Sequence, residues 1–378
     1  MKQLKELDKL EAAGQAAKKF DFFVQWHLTE RCNLRCRHCY QSGAGGRELS
    51  LPEIKDTIHE VADTMQDWAE TYGMEFSPSF NITGGEPFLR KDIFDVLREI
   101  RRRRFDIFLL TNGTLASRER AKELALIGTS GVQVSIEGPE EVHDSIRGRG
   151  SFSQAMWGVK NLLNEGMIVT LNATLSNINA RYMAEMVSLA LGVGVQRLGF
   201  SRLVPSGRGE GLIKEMLTPE QVRELYATLL SLKIEGLEIL TGDPVAGQMK
   251  LGTNVIGLDC MGFLGGCAAG ISGITFLADG TITPCRRLPV PIGNIRTDSL
   301  REVWALSEVL DALRDQANYR GKCGTCKRWS ICRGCRAIAY AWSRANGGND
   351  FLAEDPQCFI EQYSPAHQDE AEVPAAIA

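Results

Sequence analysis

Phe22-Phe-Val-Gln-Trp-His-Leu28 runs straight into Thr29-Glu-Arg-Cys-Asn-Leu-Arg-Cys-Arg-His-Cys-Tyr40. The first half is a short run of aromatic and β-branched residues and reads as a strand. The second half places Cys32, Cys36 and Cys39 in a C-x3-C-x2-C spacing. Three thiolates packed this closely suit a cubane iron–sulfur cluster, which takes four ligands. The next cysteine is Cys260, so nothing nearby supplies the fourth. One iron would be left open, and an open iron on a redox-active cluster is where reductive chemistry can start. The alternative is a zinc knuckle completed by His38 or His27. Zinc sites favour C-x2–4-C pairs answered by a distant second pair, and His38 abuts Cys39. His38 therefore reads as a solvent-facing spacer, and His27 as a strand-end residue near the cluster.

Outward from this loop the chain alternates short apolar runs with amphipathic stretches. Strands are expected at 22–28, 80–83, 105–110, 132–136, 167–174 and 196–202. Helices are expected at 51–72, 90–103, 116–127, 152–165 and 181–193. Repeated βα units imply an α/β fold with a parallel sheet. About six units make a partial (β/α)6 barrel of the eight-unit type, whose active sites sit at the C-terminal strand ends. The polar and Gly-rich residues fall just after each strand. Residues 1–20 read as an amphipathic helix ahead of a barrel over 21–240. From about 250 Gly and Cys become dense and periodicity fades, so 241–364 reads as a second domain stapled by metal in place of a large core. Residues 365–378 read as a flexible tail.

The chain has 378 residues and a net charge of −4, which gives no electrostatic case for nucleic acid. Arg101 to Arg104 read as the polar end of a helix. The charged N-terminus, Met1-Lys-Gln-Leu-Lys-Glu-Leu-Asp-Lys-Leu10, lacks a signal peptide's apolar core, and no run is long enough to span a membrane. Eleven cysteines without a secretion signal point to metal or redox use in a reducing cytoplasm.

Four further motifs follow the cysteine loop in order. Gly84-Gly85-Glu86-Pro87 ends the second strand, Asn112 lies in Thr111-Asn-Gly113, Ser135 and Glu137 lie in Val134-Ser-Ile-Glu-Gly138, and His143-Asp-Ser-Ile-Arg147-Gly follows. Two glycines let backbone approach a ligand closely, and Glu86 can accept from an ammonium. Together with Cys32, Cys36, Cys39 and the aromatic Tyr40, this series resembles the radical SAM superfamily. The resemblance implies a [4Fe-4S] cluster on the three cysteines with S-adenosylmethionine (SAM) on its open iron. It further implies that Gly84, Gly85 and Glu86 hold the amino group of the SAM methionine. Ser135 and Glu137 match the ribose-contacting position, Arg147 the carboxylate contact, and Asn112 a further contact or a turn residue beside Gly113.

The second domain carries Cys267, Gly280 and Cys285, then Cys323-x2-Cys326-x5-Cys332-x2-Cys335, then Cys358. This resembles the SPASM domain, with the last spacer of the central pattern one residue shorter than usual. The resemblance implies two auxiliary [4Fe-4S] clusters, one on Cys260, Cys267, Cys285 and Cys335 and one on Cys323, Cys326, Cys332 and Cys358. That makes three clusters with no cysteine left over. The Gly-rich stretch Pro205-Ser-Gly-Arg-Gly-Glu-Gly211 lacks the Walker lysine and reads as a mobile loop over the barrel mouth. Arg202 and Asp243 are candidates to face the lumen.

The family resemblance implies reductive cleavage of SAM to a 5′-deoxyadenosyl radical and hydrogen abstraction from a substrate. A ribosomally synthesised peptide is the expected substrate, to be cross-linked, oxidised or epimerised, with flavodoxin or ferredoxin as electron donor. Many such maturases carry a leader-binding domain, and about twenty residues precede the first strand here, so a separate leader-recognition protein or the barrel mouth would do that work. Sulfatase-maturing enzymes place an aspartate base after the cysteine matched by Cys285, where this chain has Arg286. The alternative substrate is a tetrapyrrole side chain, as in alternative haem or haem d1 biosynthesis. An alternative of another class is a non-catalytic iron–sulfur electron carrier, which would need neither the Gly84–Glu86 motif nor Ser135 and Arg147.

Overall fold

The computed structural model describes residues 19–41, 43, 46–250 and 265–360. Seven strands lie side by side in chain order, each parallel to the next: β1 (Lys19–His27), β2 (Glu75–Thr83), β3 (Asp106–Thr111), β4 (Gly131–Ser135), β5 (Val169–Leu175), β6 (Arg197–Arg202) and β7 (Glu238–Thr241). Helices α1 (Leu51–Tyr72), α2 (Ile93–Arg102), α3 (Arg118–Ile127), α4 (Glu140–Arg147), α5 (Ser151–Asn164), α6 (Met183–Val193), α7 (Pro219–Ser231) and α8 (Pro244–Lys250) connect them. The six expected βα units are present. β7 is a seventh strand that sequence periodicity does not reveal, because four residues are too few to display a period. β1 begins at Lys19, so the last two positions of the expected N-terminal helix are strand, and the rest of that segment lies outside the described residues. The expected tail at 365–378 also lies outside them.

Local chemistry sets the helix ends. Ser50 and Glu53 form a reciprocal capping box at the start of α1, with Pro52 in its first turn, and Gly73 ends the helix in the left-handed conformation. Thr218 and Gln221 repeat the box at α7, and Ser117 caps α3. The strands are two-faced. Phe22, Val24, Trp26, Ile107, Leu109, Val132, Val134, Leu171 and Ala173 are buried in the main core. The alternate positions Gln25, Phe108, Gln133, Thr170 and Asn172 line an internal cavity. Parallel strands covered on both faces are normally apolar throughout. Here the inner face mixes amides and hydroxyls with Phe23, Phe108, Leu110, Phe200 and Leu240, so the strands enclose a lumen of mixed character.

The cysteine-rich region continues the same sheet. β8 (Gly273–Phe276) pairs in parallel with β1, Phe23 opposite Gly273, and β9 (Thr281–Thr283) and β10 (Gly293–Asn294) follow antiparallel. Among the described residues the sheet has ten strands, in the order β10-β9-β8-β1-β2-β3-β4-β5-β6-β7. A Cβ at Gly273 would collide with the Phe23 ring, so glycine lets β8 settle there. Helices α9 (Leu300–Leu306), α10 (Glu308–Arg314), α11 (Gly321–Gly324) and α12 (Arg336–Ala345) complete the region. No helix among the described residues is long and apolar enough to cross a membrane.

Candidate active site

The cysteine loop spans the gap between β1 and α1, at the C-terminal end of its strand. Arg90 clips both of its ends: Nη1 donates to Leu28 O at 2.9 Å and Nη2 to Leu49 O at 2.8 Å, while Asp92 accepts from Nε at 2.7 Å. The strap after β2 fastens the start of the loop. Gly85 N–H donates to Thr29 O at 2.7 Å and Glu86 N–H to Arg31 O at 2.8 Å. A Cβ on Gly84 would strike the Thr29 carbonyl oxygen, and one on Gly85 the Arg31 carbonyl oxygen. The close approach that requires glycine here is therefore made first to the cysteine loop itself.

Cys32, Cys36, Cys39, Tyr40, Gly84, Gly85, Asn112, Ser135 and Arg147 line one cavity. Asn112 braces the loop: Nδ2 donates to Asn33 Oδ1 at 3.0 Å and lies 3.9 Å from Cys32 Sγ, and Oδ1 accepts from the Thr114 amide at 2.9 Å. Arg147 Nη1 lies 3.8 Å from Cys36 Sγ. Tyr40 OH is 3.2 Å from His27 Nε2, and burial pushes the phenol up to about 12.

Two expected contact residues stand behind this wall. Glu86 is fully buried; its carboxylate accepts from Thr111 Oγ1 at 2.8 Å, the Asn112 amide at 2.9 Å and the Phe88 amide at 3.2 Å. It welds the strap to the end of β3 and does not open to the cavity as an acceptor for an ammonium. Burial raises its pKa, and those donors pull the other way. Glu137 is likewise enclosed. It takes Arg147 Nε at 2.9 Å, His38 Nε2 at 3.3 Å and the Thr174 amide at 2.8 Å. Burial alone would raise its pKa, but Arg147 and His38 hold it well below the usual carboxylate range. Glu137 thus acts on the cavity through Arg147. His38 is no solvent-facing spacer, since its side chain is 12% exposed and paired with Glu137. The Gly-rich stretch is no free loop either. It winds into 3-10 turns over Gly207–Glu215, with Gly209 N–H on Cys39 O at 3.1 Å and Arg208 Nε on Cys36 O at 3.4 Å.

Gln133, Asn172, Thr174, Arg208, Arg286 and Arg287 also line the wall. Gln133, Asn172 and Thr174 announce themselves only as polar residues at alternate strand positions. Arg202 is fully buried and reaches the wall while bound to Asp243 (2.6 and 2.9 Å), Asp355 (2.9 and 2.7 Å) and Gln357 (3.1 Å).

The residues present fit iron–sulfur clusters. Cys32 and Cys36 are pushed up by burial, so their anions call for a positive partner, and a thiolate-bound metal supplies it. In the second domain burial lifts Cys335 to about 12, with Cys267 adding to it, and Arg287 lies in the field of Cys335 and Cys285. Cys358 is raised by burial, and Cys323 and Cys326 act on it in the same direction. Gly334 N–H donates to Cys332 Sγ at 3.3 Å, and Cys267 N–H to Cys332 O at 2.9 Å, which staples the two cysteine groups together. None of the ten described cysteines is in a disulfide. Cys260, expected as the eighth ligand of the domain, lies outside the described residues.

Comparison with known proteins bears on this arrangement. Residues 26–190 match the Radical SAM superfamily, and residues 267–336 match the iron–sulfur cluster-binding domain SPASM. The AdoMet-dependent heme synthase of Methanosarcina barkeri is 31% identical, covering 89% of this chain and 95% of its own. The mycofactocin maturase MftC of Mycolicibacterium smegmatis is 32% identical, covering 92% and 85%. Among solved structures, Streptococcus suis SuiB superposes with a TM-score of 0.69 at 19% identity, covering 94% of this chain and 81% of its own. The enzyme anSMEcpe with bound AdoMet gives 0.67 at 19% identity, covering 89% and 93%.

Proposed function

Because the chain belongs to the radical SAM superfamily and carries a SPASM domain behind its barrel, we propose that it modifies a ribosomally synthesised peptide by hydrogen-atom abstraction. Cys32, Cys36 and Cys39 would hold a [4Fe-4S] cluster and, with it, SAM. The bound pair would supply the chemistry: with an electron from flavodoxin or ferredoxin, reductive cleavage of SAM to a 5′-deoxyadenosyl radical and hydrogen-atom abstraction from the substrate. This chain's residues orient and enclose. Gly84 and Gly85 present backbone to the methionine end of SAM, Arg147 meets its carboxylate, Ser135 its ribose, and Asn112 fixes the loop beneath. Tyr40, the Gly207–Glu215 turns and Arg208 close the cavity over the cysteine loop and limit access of water. Cys260, Cys267, Cys285 and Cys335, and Cys323, Cys326, Cys332 and Cys358, would hold two further clusters, which would supply a route for electron transfer.

The observation that carries the peptide reading is the maturase relative, 32% identical over most of the chain, and the lumen is compatible with it. Gln25, Asn81, Gln133 and Asn172 line the lumen together with Thr170 and Thr241, interleaved with Phe23, Phe108, Leu110, Phe200 and Leu240. The amides and hydroxyls offer donors and acceptors that match a peptide's own polar groups, and the apolar side chains between them suit either a peptide or a macrocycle. Tetrapyrrole side-chain chemistry is the second reading, supported by the heme synthase relative.

The test is anaerobic co-expression with a short peptide encoded beside this gene, followed by mass measurement. A loss of about two mass units (two hydrogens) marks a cross-link or oxidation, and uptake of one deuterium from heavy water marks epimerisation. An unchanged peptide, with 5′-deoxyadenosine formed only on adding iron coproporphyrin III, moves the assignment to tetrapyrroles.

A further inference from the structure

Arg286 and Arg287 turn the corner between Cys285 and Leu288, a tight turn closed by Leu288 N–H on Cys285 O at 2.9 Å. The turn belongs to the cysteine-rich domain, yet both side chains reach the cavity over the cysteine loop. Of the five arginines on that wall, Arg286 is the one that also lines the lower lumen. The two spaces meet at Leu110, Gln133, Asn172 and Arg286.

Charge separates Arg286 from its neighbours. Arg147 is cancelled by Glu137, Arg202 by Asp243 and Asp355, and Arg197 at the far end of the lumen by Glu238 at 3.0 Å. Arg208 is held on Cys36 O. Arg287 donates to Arg202 O at 3.4 Å and lies against Cys335 and Cys285. Arg286 makes no hydrogen bond or ion pair among the described residues; its guanidinium rests 5.7 Å from the Tyr40 ring centre. Among the described residues no carboxylate lines either space. A guanidinium fork with its donors unspent, at the junction of the two spaces, fits a carboxylate bidentately.

We propose that Arg286 is the substrate's anchor: it binds a carboxylate of the substrate and so sets which carbon faces the cysteine end of the cavity. This deepens the radical SAM reading above and rests on it. Where sulfatase-maturing enzymes carry a base, this chain carries an anion receptor. The carboxylate is either the peptide's C-terminus or an acidic side chain.

The experiment uses reconstituted, SAM-loaded enzyme under anaerobic conditions. The peptide encoded beside the gene is made in three forms: unchanged, C-terminally amidated, and with Asp and Glu replaced by Asn and Gln. Wild-type enzyme is expected to bind one neutralised form at least about tenfold more weakly, about 1.4 kcal/mol, and which form identifies the carboxylate. Arg286→Gln is expected to bind charged and neutralised forms alike, and Arg286→Lys to fall between, with iron content per chain and SAM affinity held at the wild-type value. The proposal is overturned if wild-type enzyme ignores the neutralisation, if Arg286→Gln keeps the preference, or if Arg286→Gln loses SAM as strongly as peptide. Should no peptide form bind, iron coproporphyrin III and its tetramethyl ester are compared. A preference for the free acid that vanishes in Arg286→Gln upholds the anchor while sinking the peptide reading. The same preference surviving in Arg286→Gln sinks the anchor, as does no preference at all.

Discussion

Glu137 shows how a buried carboxylate shapes a cavity it does not touch. Its carboxylate is shielded from solvent and holds Arg147, which is 11% exposed. Replacing Glu137 with Gln leaves that guanidinium enclosed without its counter-charge, at a cost of about 3–5 kcal/mol. The expected result is a lower denaturation midpoint together with weaker SAM binding, since Arg147 loses its orientation. Equilibrium dialysis with SAM and a denaturant titration check the two halves separately. His143 sits in the same cluster, accepting the Glu137 amide on Nδ1 at 3.2 Å, with Nε2 unpartnered among the described residues. Burial first, and Arg147 second, bring it down to about 4. Between that value and about 6.5, the figure for an unfolded chain, the unfolded state binds a proton the folded state does not. Stability therefore rises with pH across this window. The contribution is complete above the upper value and is lost as pH falls through the lower one. Wild-type enzyme should lose more stability from pH 7 to pH 5 than His143→Asn does; parallel losses would remove His143 as the cause.

At the scale of the element, the strap from Gly84 to Glu86 explains why a sequence motif can be sound and its parts misread. The spacing after a strand is visible in the chain, and so is the permissiveness of two glycines. What the glycines approach is not visible, because Thr29 and Arg31 are brought there by the pairing of β1 with β2. The direction of Glu86 is hidden for the same reason, since its partners Thr111 and Asn112 come from another strand end. Arg90, which ties both ends of the cysteine loop, carries no local signal at all. By contrast the strands of the barrel were readable wherever they were long enough to alternate, as at 132–136 and 167–174, and β7 was not. Gly85→Ala is expected to displace the loop backbone, because the obstructing atom is a carbonyl oxygen with no freedom to swing aside. Iron bound per chain after reconstitution should fall below half of the wild-type value, while circular dichroism of the helices stays near it. Full iron retention would mean that the loop adapts.

The whole molecule is held together by a buried polar joint. Arg202 at the end of β6 joins Asp243, after β7, to Asp355 and Gln357 near the end of the described chain. Asp355 in turn accepts the Cys335 amide at 2.8 Å, and Tyr226 OH donates to Asp243 at 2.8 Å. No motif announces this joint, because its members lie up to 155 residues apart. Asp355→Asn removes one of the two charges that balance Arg202, and breaking a buried pair of this kind costs about 3–5 kcal/mol. Hydrogen exchange should report faster opening at the Cys335 amide, and denaturation a lower midpoint. An unchanged exchange rate would show that Asp243 alone suffices.

β8 lies on β1 for four residues, Phe23 to Trp26, and the seam belongs to the same sheet as the barrel. A chain cut after the last barrel strand would leave β1 with a row of unsatisfied amides and carbonyls, flanked by Phe22, Val24 and Trp26. Such a border is a template for another copy's strand and a route to insoluble β-aggregates. The pairing with β8 therefore covers an edge of β1 that would otherwise stand open to a strand of another copy.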